Sequence, residues 1–487
     1  MKRVLAISLV ALSLSACSSP QADERSDIPA SLKPTAPSST GAEFKPCEED
    51  SLAGLECATV KAPLDYEDPS LGTIDVAVAR ARATKETRGV LLVNPGGPGA
   101  SGREFLPAAL SMLSSSVTSQ YDVIAVDPRG TGGTIPVDCG TDLDTVYALD
   151  PTPSTPETEK ALVEADAAFA GDCEKAAGEY LPHITTVSSA RDMDTVRVAL
   201  GVEKLAYVGF SYGTELGAAY ISLFPSHVGR FVLDGPVDVT LDPASRSLEQ
   251  GAGFETALDE FFAWCMRSAC RLSPDPEKRF NALSEKLDKA PLANPDRVAT
   301  NQAVLLFATA TALYSTDAYG MLAGALAAAE EGDGSKLLYL YDVYMERTPS
   351  GEYGSTQYAF RAISEADFTP LSVEEQHQLL ADAKAKLPRF YPLFSTFPHV
   401  DPWPSFSRRP RAPFSAAPKG TTLVIAATKD PATPFTGGKA LADLLGAPLL
   451  VRDGADHTSY SASPCVQDAT DTFLLEGELP AEALRCD

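Results

Sequence analysis

The chain has 487 residues, of which 44% are hydrophobic and 22% are charged, and its formal net charge is −26 at pH 7. The length exceeds that of a typical single domain. The acidic balance opposes nucleic-acid binding, which requires a basic surface.

The N-terminal residues have the pattern of a secretory signal. A short basic start precedes an apolar run at 4–16, which is too short to span a bilayer. The run ends in Leu-Ser-Ala-Cys, which resembles the lipobox at which cleavage precedes lipidation of the cysteine. We predict a lipoprotein signal peptide at 1–16, lipid attachment to the membrane at Cys17 and a flexible tether at 17–44. The alternative is ordinary signal cleavage nearby, with secretion and an incidental cysteine.

The other eight cysteines also fit export, because exported chains commonly form disulfides. Eight cysteines allow 105 pairings, and we take the pairing of sequence neighbours as the default. The alternative is that some are buried free thiols. No Cys-x-x-Cys pair or His/Cys cluster has metal-ligand spacing, so no metal is predicted. The default pairs are Cys47–Cys57, Cys139–Cys173, Cys265–Cys270 and Cys465–Cys486.

From about residue 58 to 235, short β-branched runs alternate with helical patterns. This alternation predicts an α/β fold with a mostly parallel, doubly wound sheet covered on both faces. The strand-like runs are 73–81, 89–94, 121–127, 204–209 and 230–235, and the helical patterns include 188–200 and 212–224.

Almost no strand signal is present between 239 and 414, and strand patterns return at 421–428 and 447–453. We predict one α/β core, formed by 45–238 and 415–487, with a helical lid inserted at 239–414. Two independent domains are the alternative, but they would leave the last two strands without a sheet. The helical spacing is visible at 253–267, 301–314, 318–331, 335–346 and 372–386.

The stretch GVLLVNPGGPGASG is an apolar run that ends in a glycine-rich loop. Gly97, Gly99 and Gly102 fit G-x-G-x-x-G, and Asp127 ends the next apolar run, which is the outline of a dinucleotide-binding fingerprint. A nicotinamide-dependent oxidoreductase is therefore one hypothesis. Pro98 weighs against it, because proline lacks an N–H that a phosphate cradle would use.

The sequence Gly-Phe-Ser-Tyr-Gly at 209–213 matches G-x-S-x-G between a predicted strand and a predicted helix. In that context the serine sits on a strained strand-to-helix turn and acts as a nucleophile. The flanking glycines remove Cβ atoms that would clash. We predict Ser211 as the nucleophile, and the alternative is an ordinary surface serine in a tight turn.

A serine nucleophile needs a base, which on this fold follows it in the chain. Three histidines lie beyond the serine-bearing helix and its turn. His377 lies in a polar helix, and His399 lies among prolines and aromatics. His457 lies in a loop just after the last predicted strand, where the base belongs, and we predict it as the base.

The base in turn needs an orienting acid. Asp430 ends the strand pattern that precedes His457, and we predict that it orients the imidazole. Asp234 is the rival, because some hydrolases of this fold take the acid from one strand earlier. Thr433 either caps the following helix or hydrogen-bonds the acid.

Acyl transfer also needs backbone N–H groups aimed at the developing oxyanion. One predicted donor is Tyr212, which follows the nucleophile. The glycine-rich loop follows an early strand and supplies the other, with Gly97 preferred over Gly96. Asp127 then becomes a structural residue of the turn Asp-Pro-Arg-Gly-Thr-Gly.

With these motifs the chain resembles the tripeptidyl aminopeptidase family of exported α/β-hydrolase enzymes and, more distantly, proline iminopeptidases. The resemblance implies an α/β-hydrolase fold and a cofactor-free serine peptidase that releases short peptides from free N-termini through an acyl-enzyme. It also implies a cis Gly97–Pro98 bond. Pro95 replaces the histidine of the iminopeptidase loop, which leaves the backbone donors intact. The matching stretches are NPGGPGASG, YDVIAVDPRGTG, GFSYGTELGAAY, FPSHVGRFVLDGPVD, ATKDPATPF and GADHTSY.

An exopeptidase must also bind the ammonium group of its peptide substrate. Glu249 and Asp238 lie where the lid begins, and we name them as candidates. The alternatives for these two residues are surface charge or helix capping. Two further hypotheses are a carboxylesterase or lipase of the same fold and a substrate-binding lipoprotein with an inactive hydrolase fold.

Overall fold

A computed structural model describes residues 41–153, 155–369, 371–394, 411, 413–481 and 484–487. The predicted signal peptide, Cys17, most of the predicted tether and His399 lie outside the described residues.

The described residues form one ten-stranded sheet and one separate two-stranded sheet. The strands are β1 (Lys45–Pro46), β2 (Glu56–Pro63), β3 (Thr73–Ala81), β4 (Val90–Asn94), β5 (Asp122–Val126), β6 (Leu205–Phe210), β7 (Val228–Asp234), β8 (Leu292–Asn294), β9 (Arg297–Thr300), β10 (Thr422–Ala427), β11 (Leu449–Arg452) and β12 (Arg485–Cys486). The large sheet has the order β1-β2-β3-β5-β4-β6-β7-β10-β11-β12. Its first three strands are antiparallel to their neighbours, and from β5 onward all neighbours are parallel.

Helices cover the sheet, and further helices make up most of the segment inserted after β7. They are α1 (Gly102–Met112), α2 (Ser115–Thr118), α3 (Asp144–Tyr147), α4 (Pro156–Ala177), α5 (Thr186–Ala199), α6 (Tyr212–Leu223), α7 (Pro243–Ser268), α8 (Pro276–Lys289), α9 (Gln302–Leu313), α10 (Tyr319–Glu330), α11 (Ser335–Tyr344), α12 (Thr356–Asp367), α13 (Val373–Lys386), α14 (Tyr391–Phe394), α15 (Phe435–Leu445) and α16 (Pro464–Glu476). None of the helices among the described residues combines the length and the apolar composition needed to cross a bilayer.

The central strands β4, β6 and β10 are buried along their whole length. Uninterrupted apolar runs of this kind form parallel strands that are covered on both faces, which confirms the predicted mostly parallel, doubly wound sheet. The carboxyl ends of parallel strands meet at one edge of a sheet. The loops after β4, β6, β7, β10 and β11 therefore converge there, and they carry Gly97, Ser211, Asp238, Asp430 and His457.

The lid is a helical layer with its own apolar core. Helix α9 is buried on nearly all sides and packs at the centre of this layer. The short hairpin of β8 and β9 was not predicted, because strands of three and four residues show too little alternation to be recognised. The insertion boundaries at 239 and 414 stay a prediction.

The segment that follows β5 also contributes to the lid core. Apolar side chains between Val137 and Ile184 belong to the same buried cluster as those of the lid helices. This segment was predicted to belong to the hydrolase core, because it lies within the stretch from about 58 to 235 in which strand and helix patterns alternate. Two separate segments that leave the sheet, one after β5 and one after β7, therefore form the apolar core of the lid together.

The structure pairs the eight described cysteines as sequence neighbours. The disulfides join Cys47 to Cys57, Cys139 to Cys173, Cys265 to Cys270, and Cys465 to Cys486.

Candidate active site

Ser211 lies on a sharp turn between β6 and α6. Its φ of 53° and ψ of −126° fall in a region that non-glycine residues rarely adopt. Its N–H donates to the carbonyl oxygen of Asp234, at 2.9 Å. A Cβ atom on Gly209 would lie 2.5 Å from the carbonyl oxygen of Gly213. The turn therefore requires a glycine before the serine, as the motif predicts.

Asp430 and His457 are in direct contact. The Nδ1 atom of His457 lies 2.8 Å from Oδ1 and 3.1 Å from Oδ2 of Asp430. The carboxylate also accepts N–H groups from Ala432 at 3.0 Å and Thr433 at 2.8 Å. The other ring nitrogen, Nε2, is buried and has no hydrogen-bond partner among the described residues. Nδ1 is thus held by the acid, and Nε2 is left for proton transfer.

The pKa of His457 reflects two opposing effects. Burial lowers the pKa of the imidazole, but the charge of Asp430 and its hydrogen bond raise the pKa by more than burial lowers it. The net result is a pKa above the ordinary value of 6.5. The Oγ1 atom of Thr433 lies 3.4 Å from the same Nδ1, so this threonine contacts both members of the pair.

Asp234, the rival acid, has a different set of partners. Its carboxylate accepts the N–H groups of Ser459, at 3.0 and 2.9 Å, and Tyr460, at 2.8 Å. Burial raises the pKa of Asp234 to about 6, although these hydrogen bonds oppose the shift. Asp234 therefore anchors the chain just after His457, while the imidazole itself binds Asp430.

The serine turn and the imidazole both lie against the short segment formed by Asp234 and Gly235. Asp234 accepts the Ser211 N–H, and a Cβ atom on the next residue, Gly235, would lie 3.3 Å from Cε1 of His457. Gly235 has a φ of +68°. A side chain at this position would therefore be strained and would crowd the imidazole.

The glycine-rich loop packs against the serine turn. A Cβ atom on Gly96 would lie 3.1 Å from the Tyr212 nitrogen. The Gly96 N–H donates to Oδ1 of Asn94 at 3.0 Å, so it is already used. None of the described residues accepts a hydrogen bond from the Gly97 N–H. This difference favours Gly97 over Gly96 as an oxyanion donor, and the Gly97–Pro98 peptide is cis, as expected.

Asp127 has the structural role that the sequence suggested. Its carboxylate accepts hydrogen bonds from Ser101 Oγ at 2.7 Å, the Arg103 N–H at 2.9 Å and the Gly133 N–H at 2.8 Å. Arg103 is in the first turn of α1, where a dinucleotide-binding fold places its pyrophosphate. The chain's own carboxylate occupies that position, which argues against the dinucleotide hypothesis.

Ser211 opens into a cavity of about 140 Å³ between the sheet edge and the lid. Gly97, Tyr212 and both candidate ammonium ligands, Asp238 and Glu249, line the same cavity. The structure therefore brings the predicted nucleophile, oxyanion donors and acidic residues together.

Two acidic residues that the sequence analysis missed also line this cavity, and the first is Glu215. Glu215 is buried one helical turn after Ser211 and binds Arg246 at 2.7 Å and Arg411 at 2.6 Å. Burial raises the pKa of Glu215, but the two guanidinium groups outweigh it and keep the pKa below its usual value. The spacing of four residues on one helix face was a usable signal for this residue.

The second missed residue is Asp367, at the end of the lid helix α12. It accepts hydrogen bonds from the Thr186 N–H at 2.9 Å and Thr186 Oγ1 at 2.6 Å. The same Oγ1 lies 2.5 Å from the Tyr212 hydroxyl, which links Asp367 to the serine turn. Burial raises the pKa of Asp367 to about 7. No local sequence pattern marks this aspartate.

The two candidate ammonium ligands make few contacts of their own. Asp238 Oδ1 accepts hydrogen bonds from the N–H and hydroxyl of Thr240, at 2.8 and 2.6 Å. Glu249 Oε1 accepts a hydrogen bond from Thr436 at 2.5 Å. Burial and the nearby Asp238 raise the pKa of Glu249. Among the described residues, no Lys or Arg forms a salt bridge with Asp238, Glu249 or Asp367.

Comparison with known proteins identifies the family of this chain. A family model described as alpha/beta hydrolase fold matches residues 89–304, and a second model, TAP-like protein, matches residues 399–486. The chain belongs to the TAP-like family of α/β hydrolases. It is thus a serine hydrolase by family.

Three relatives cover most of the chain. Serine protease Hip1 of Mycobacterium tuberculosis is 31% identical over 91% of this chain and 90% of its own. Carboxylesterase B of the same species is 34% identical over 90% of this chain and 88% of its own. Tripeptidyl aminopeptidase of Streptomyces lividans is 30% identical over 89% of this chain and 83% of its own.

Proposed function

We propose that this protein is a serine aminopeptidase that releases short peptides, such as tripeptides, from free N-termini. The observation that carries the proposal is the charge of the Ser211 cavity. Arg246 and Arg411 both pair with Glu215, whereas three further carboxylates in the cavity have no salt bridge to a described residue. A cavity with excess negative charge favours a cationic ligand, and the α-ammonium of a peptide is such a ligand.

The proposed reaction begins with attack of Ser211 Oγ on the scissile carbonyl, while His457 Nε2 takes the hydroxyl proton. Asp430 holds the imidazole and stabilises the imidazolium. The N–H groups of Gly97 and Tyr212 stabilise the oxyanion of the tetrahedral intermediate. His457 then protonates the leaving amine, which departs. In the second half, His457 takes a proton from the water that attacks the acyl carbon, and it returns this proton to Ser211 Oγ as the carboxylic acid is released. No cofactor takes part.

The ammonium group of the substrate is proposed to bind Asp238, Glu249 and Asp367. These carboxylates come from the loop after β7, from α7 and from α12, so they surround the cavity from different elements. Binding a free N-terminus would fix the distance to the scissile bond and so limit the length of the released peptide.

A carboxylesterase is the alternative, and the relative named carboxylesterase B supports it. Esters have a better leaving group than amides and do not require an N-terminal ammonium. The two functions differ in their dependence on that group.

A panel of substrates separates the two functions. It contains a tripeptidyl anilide, its N-acetylated form and p-nitrophenyl esters of short acyl groups. We expect the free tripeptidyl anilide to be cleaved with a kcat/KM about a hundredfold above that of the blocked form, because the blocked form leaves the carboxylates unpaired. Equal cleavage of the free and blocked peptides contradicts the aminopeptidase proposal, and cleavage of esters alone favours the carboxylesterase.

We also propose that the protein is attached to the extracellular face of the membrane through a lipid on Cys17. The lipobox-like sequence before Cys17 supports this proposal. Metabolic labelling with a palmitate analogue tests it. We expect the label in the wild type and its loss in Cys17→Ser, whereas an unlabelled wild type contradicts the proposal.

A further inference from the structure

A second cavity lies beside the Ser211 cavity, inside the lid. Its volume is about 240 Å³, and aromatic rings from several lid helices form its walls. An apolar cavity of about 150 Å³ holds a benzene molecule, so this one is large enough for an aromatic side chain. Seven rings of the described residues line it, and they belong to Phe254, Phe307, Tyr314, Tyr344, Phe360, Phe368 and Phe394.

The two cavities share one wall. Arg246, Gln250, Phe360, Ser364 and Phe368 line both of them. The shared residues come from α7 and from α12 with the residue just after it. The second cavity is therefore a side branch of the Ser211 cavity and is bounded by the same two lid helices.

We propose that this branch is a specificity pocket for a large apolar side chain on the acyl side of the scissile bond. The ligand class is an aromatic or long aliphatic side chain of the residue that acylates Ser211. This assignment rests on the proposed function, in which the acyl part carries the ammonium group.

The acidic residues decide which side of the bond enters the branch. Asp367 directly precedes Phe368, and Glu249 directly precedes Gln250. Two carboxylates proposed for the ammonium thus adjoin two residues of the shared wall. Because the ammonium belongs to the acyl part, the branch opens on the acyl side.

Polar groups at the branch are already engaged with one another. Arg361 binds Asp166 at 3.0 Å and Glu365 at 3.2 Å, and Arg246 binds Glu215. These pairs satisfy the charges at the cavity edge and leave the aromatic rings as the main contact surface. An apolar side chain gains from leaving water for such a surface, whereas a charged one does not.

Filling the branch is the direct test. Ala310 is buried on α9 and lines the branch but not the Ser211 cavity, so Ala310→Phe would fill the branch from the far side. Ala303→Phe is the matched control, because Ala303 is an equally buried alanine of the same helix outside this branch. Tyr344→Ala enlarges the branch and provides a second variant if overpacking prevents folding.

The measurement is a ratio of kcat/KM values, which cancels the amount of folded enzyme. One pair of substrates is p-nitrophenyl octanoate and acetate, which share a leaving group. The other substrates are three free tripeptidyl anilides with Ala, Phe or Trp next to the scissile bond. We expect wild type to prefer the larger acyl group by about tenfold to a hundredfold. We expect Ala310→Phe to remove most of this preference, Ala303→Phe to retain it, and Tyr344→Ala to shift it towards Trp over Phe.

Two outcomes overturn the proposal. Either the preference for the larger acyl group is absent in wild type, or it is the same in wild type and in all three variants. The ester pair does not depend on an N-terminus, so its result stands apart from the aminopeptidase proposal. One result would separate the two proposals. If the enzyme cleaves blocked and free peptides equally, but Ala310→Phe loses the octanoate preference, the aminopeptidase proposal is contradicted and the pocket remains assigned to an acyl chain.

Discussion

The main-chain N–H of His457 donates a hydrogen bond to the carbonyl oxygen of Tyr314, at 2.9 Å. The edge of one ring also meets the face of the other, with centroids 5.2 Å apart and an interplanar angle of 86°. Tyr314 directly follows α9 at the centre of the lid. The lid is therefore part of the support of the candidate base as well as a cover over the cavity.

Asp456 extends this contact between the lid and the histidine loop. Its Oδ1 accepts hydrogen bonds from the N–H and hydroxyl of Thr316 at 2.7 and 2.9 Å, and its Oδ2 lies 3.1 Å from Arg452. We expect Asp456→Ala to lower kcat by about tenfold to a hundredfold with little change in KM, because a displaced imidazole transfers protons poorly. Steady-state kinetics on the free tripeptidyl anilide measures this change.

Asp453→Ala is the matched control for that experiment. Asp453 lies in the same loop, but its partner is Arg485 at the surface. Surface ion pairs contribute about 0–1 kcal/mol, so we expect near-normal kinetics. Equal kinetics in the Asp456 and Asp453 variants would show that the lid contact does not position His457.

The choice between the two aspartates is tested by isosteric amides. Asp430→Asn removes the carboxylate that faces Nδ1 of His457, and we expect kcat to fall by about 10³- to 10⁴-fold. Asp234→Asn keeps an oxygen for the N–H groups of Ser459 and Tyr460, and we expect a much smaller loss. The reverse order of the two losses would assign the orienting role to Asp234.

The raised pKa of His457 predicts opposite pH dependences for activity and stability. The base must be neutral, so kcat/KM for a neutral ester should rise with pH through a value above 6.5. The pair of protonated His457 with Asp430 stabilises the fold fully below the unfolded pKa, and this contribution is lost as pH rises through the folded pKa.

Chemical denaturation of wild type and His457→Gln at several pH values tests the stability part. We expect the difference in the free energy of unfolding to be largest in acid and to shrink as the pH rises. A difference that grows with pH would mean that the imidazole is destabilised in its charged form.

Asp367→Asn tests the binding of the substrate ammonium. The Asn side chain keeps an acceptor for Thr186 but loses the charge. We expect the kcat/KM for the free tripeptidyl anilide, divided by that for its N-acetylated form, to fall by about tenfold. Since the pKa of Asp367 is about 7, the loss should be large above that pH, where the wild-type group is a carboxylate, and should vanish below it. An unchanged ratio at high pH would remove Asp367 from the ammonium site.

Short sequence patterns were sufficient to predict the fold and to select the candidate residues. Ser211, Asp430 and His457 each follow the end of a strand pattern, and parallel strands bring such ends to one edge. The glycine-rich loop was ambiguous by itself. Its interpretation as an oxyanion donor depended on the serine motif, which requires such a donor.

Contacts between distant segments were not predictable in the same way. Asp367 lies 181 residues from Thr186, and Asp456 lies 140 residues from Thr316. These pairs depend on how the lid helices pack, and their apolar spacing shows which faces are buried but not against what. The contribution of the segment between Val137 and Ile184 to the lid was missed for the same reason.

Covalent labelling with a fluorophosphonate, followed by mass spectrometry of the labelled peptide, tests the nucleophile most directly. We expect one label per chain, attached to Ser211, with labelling lost in Ser211→Ala and slowed in His457→Gln, and with catalysis lost in parallel. A label that persists in Ser211→Ala, or an active enzyme that takes no label, would contradict an acyl-enzyme on Ser211.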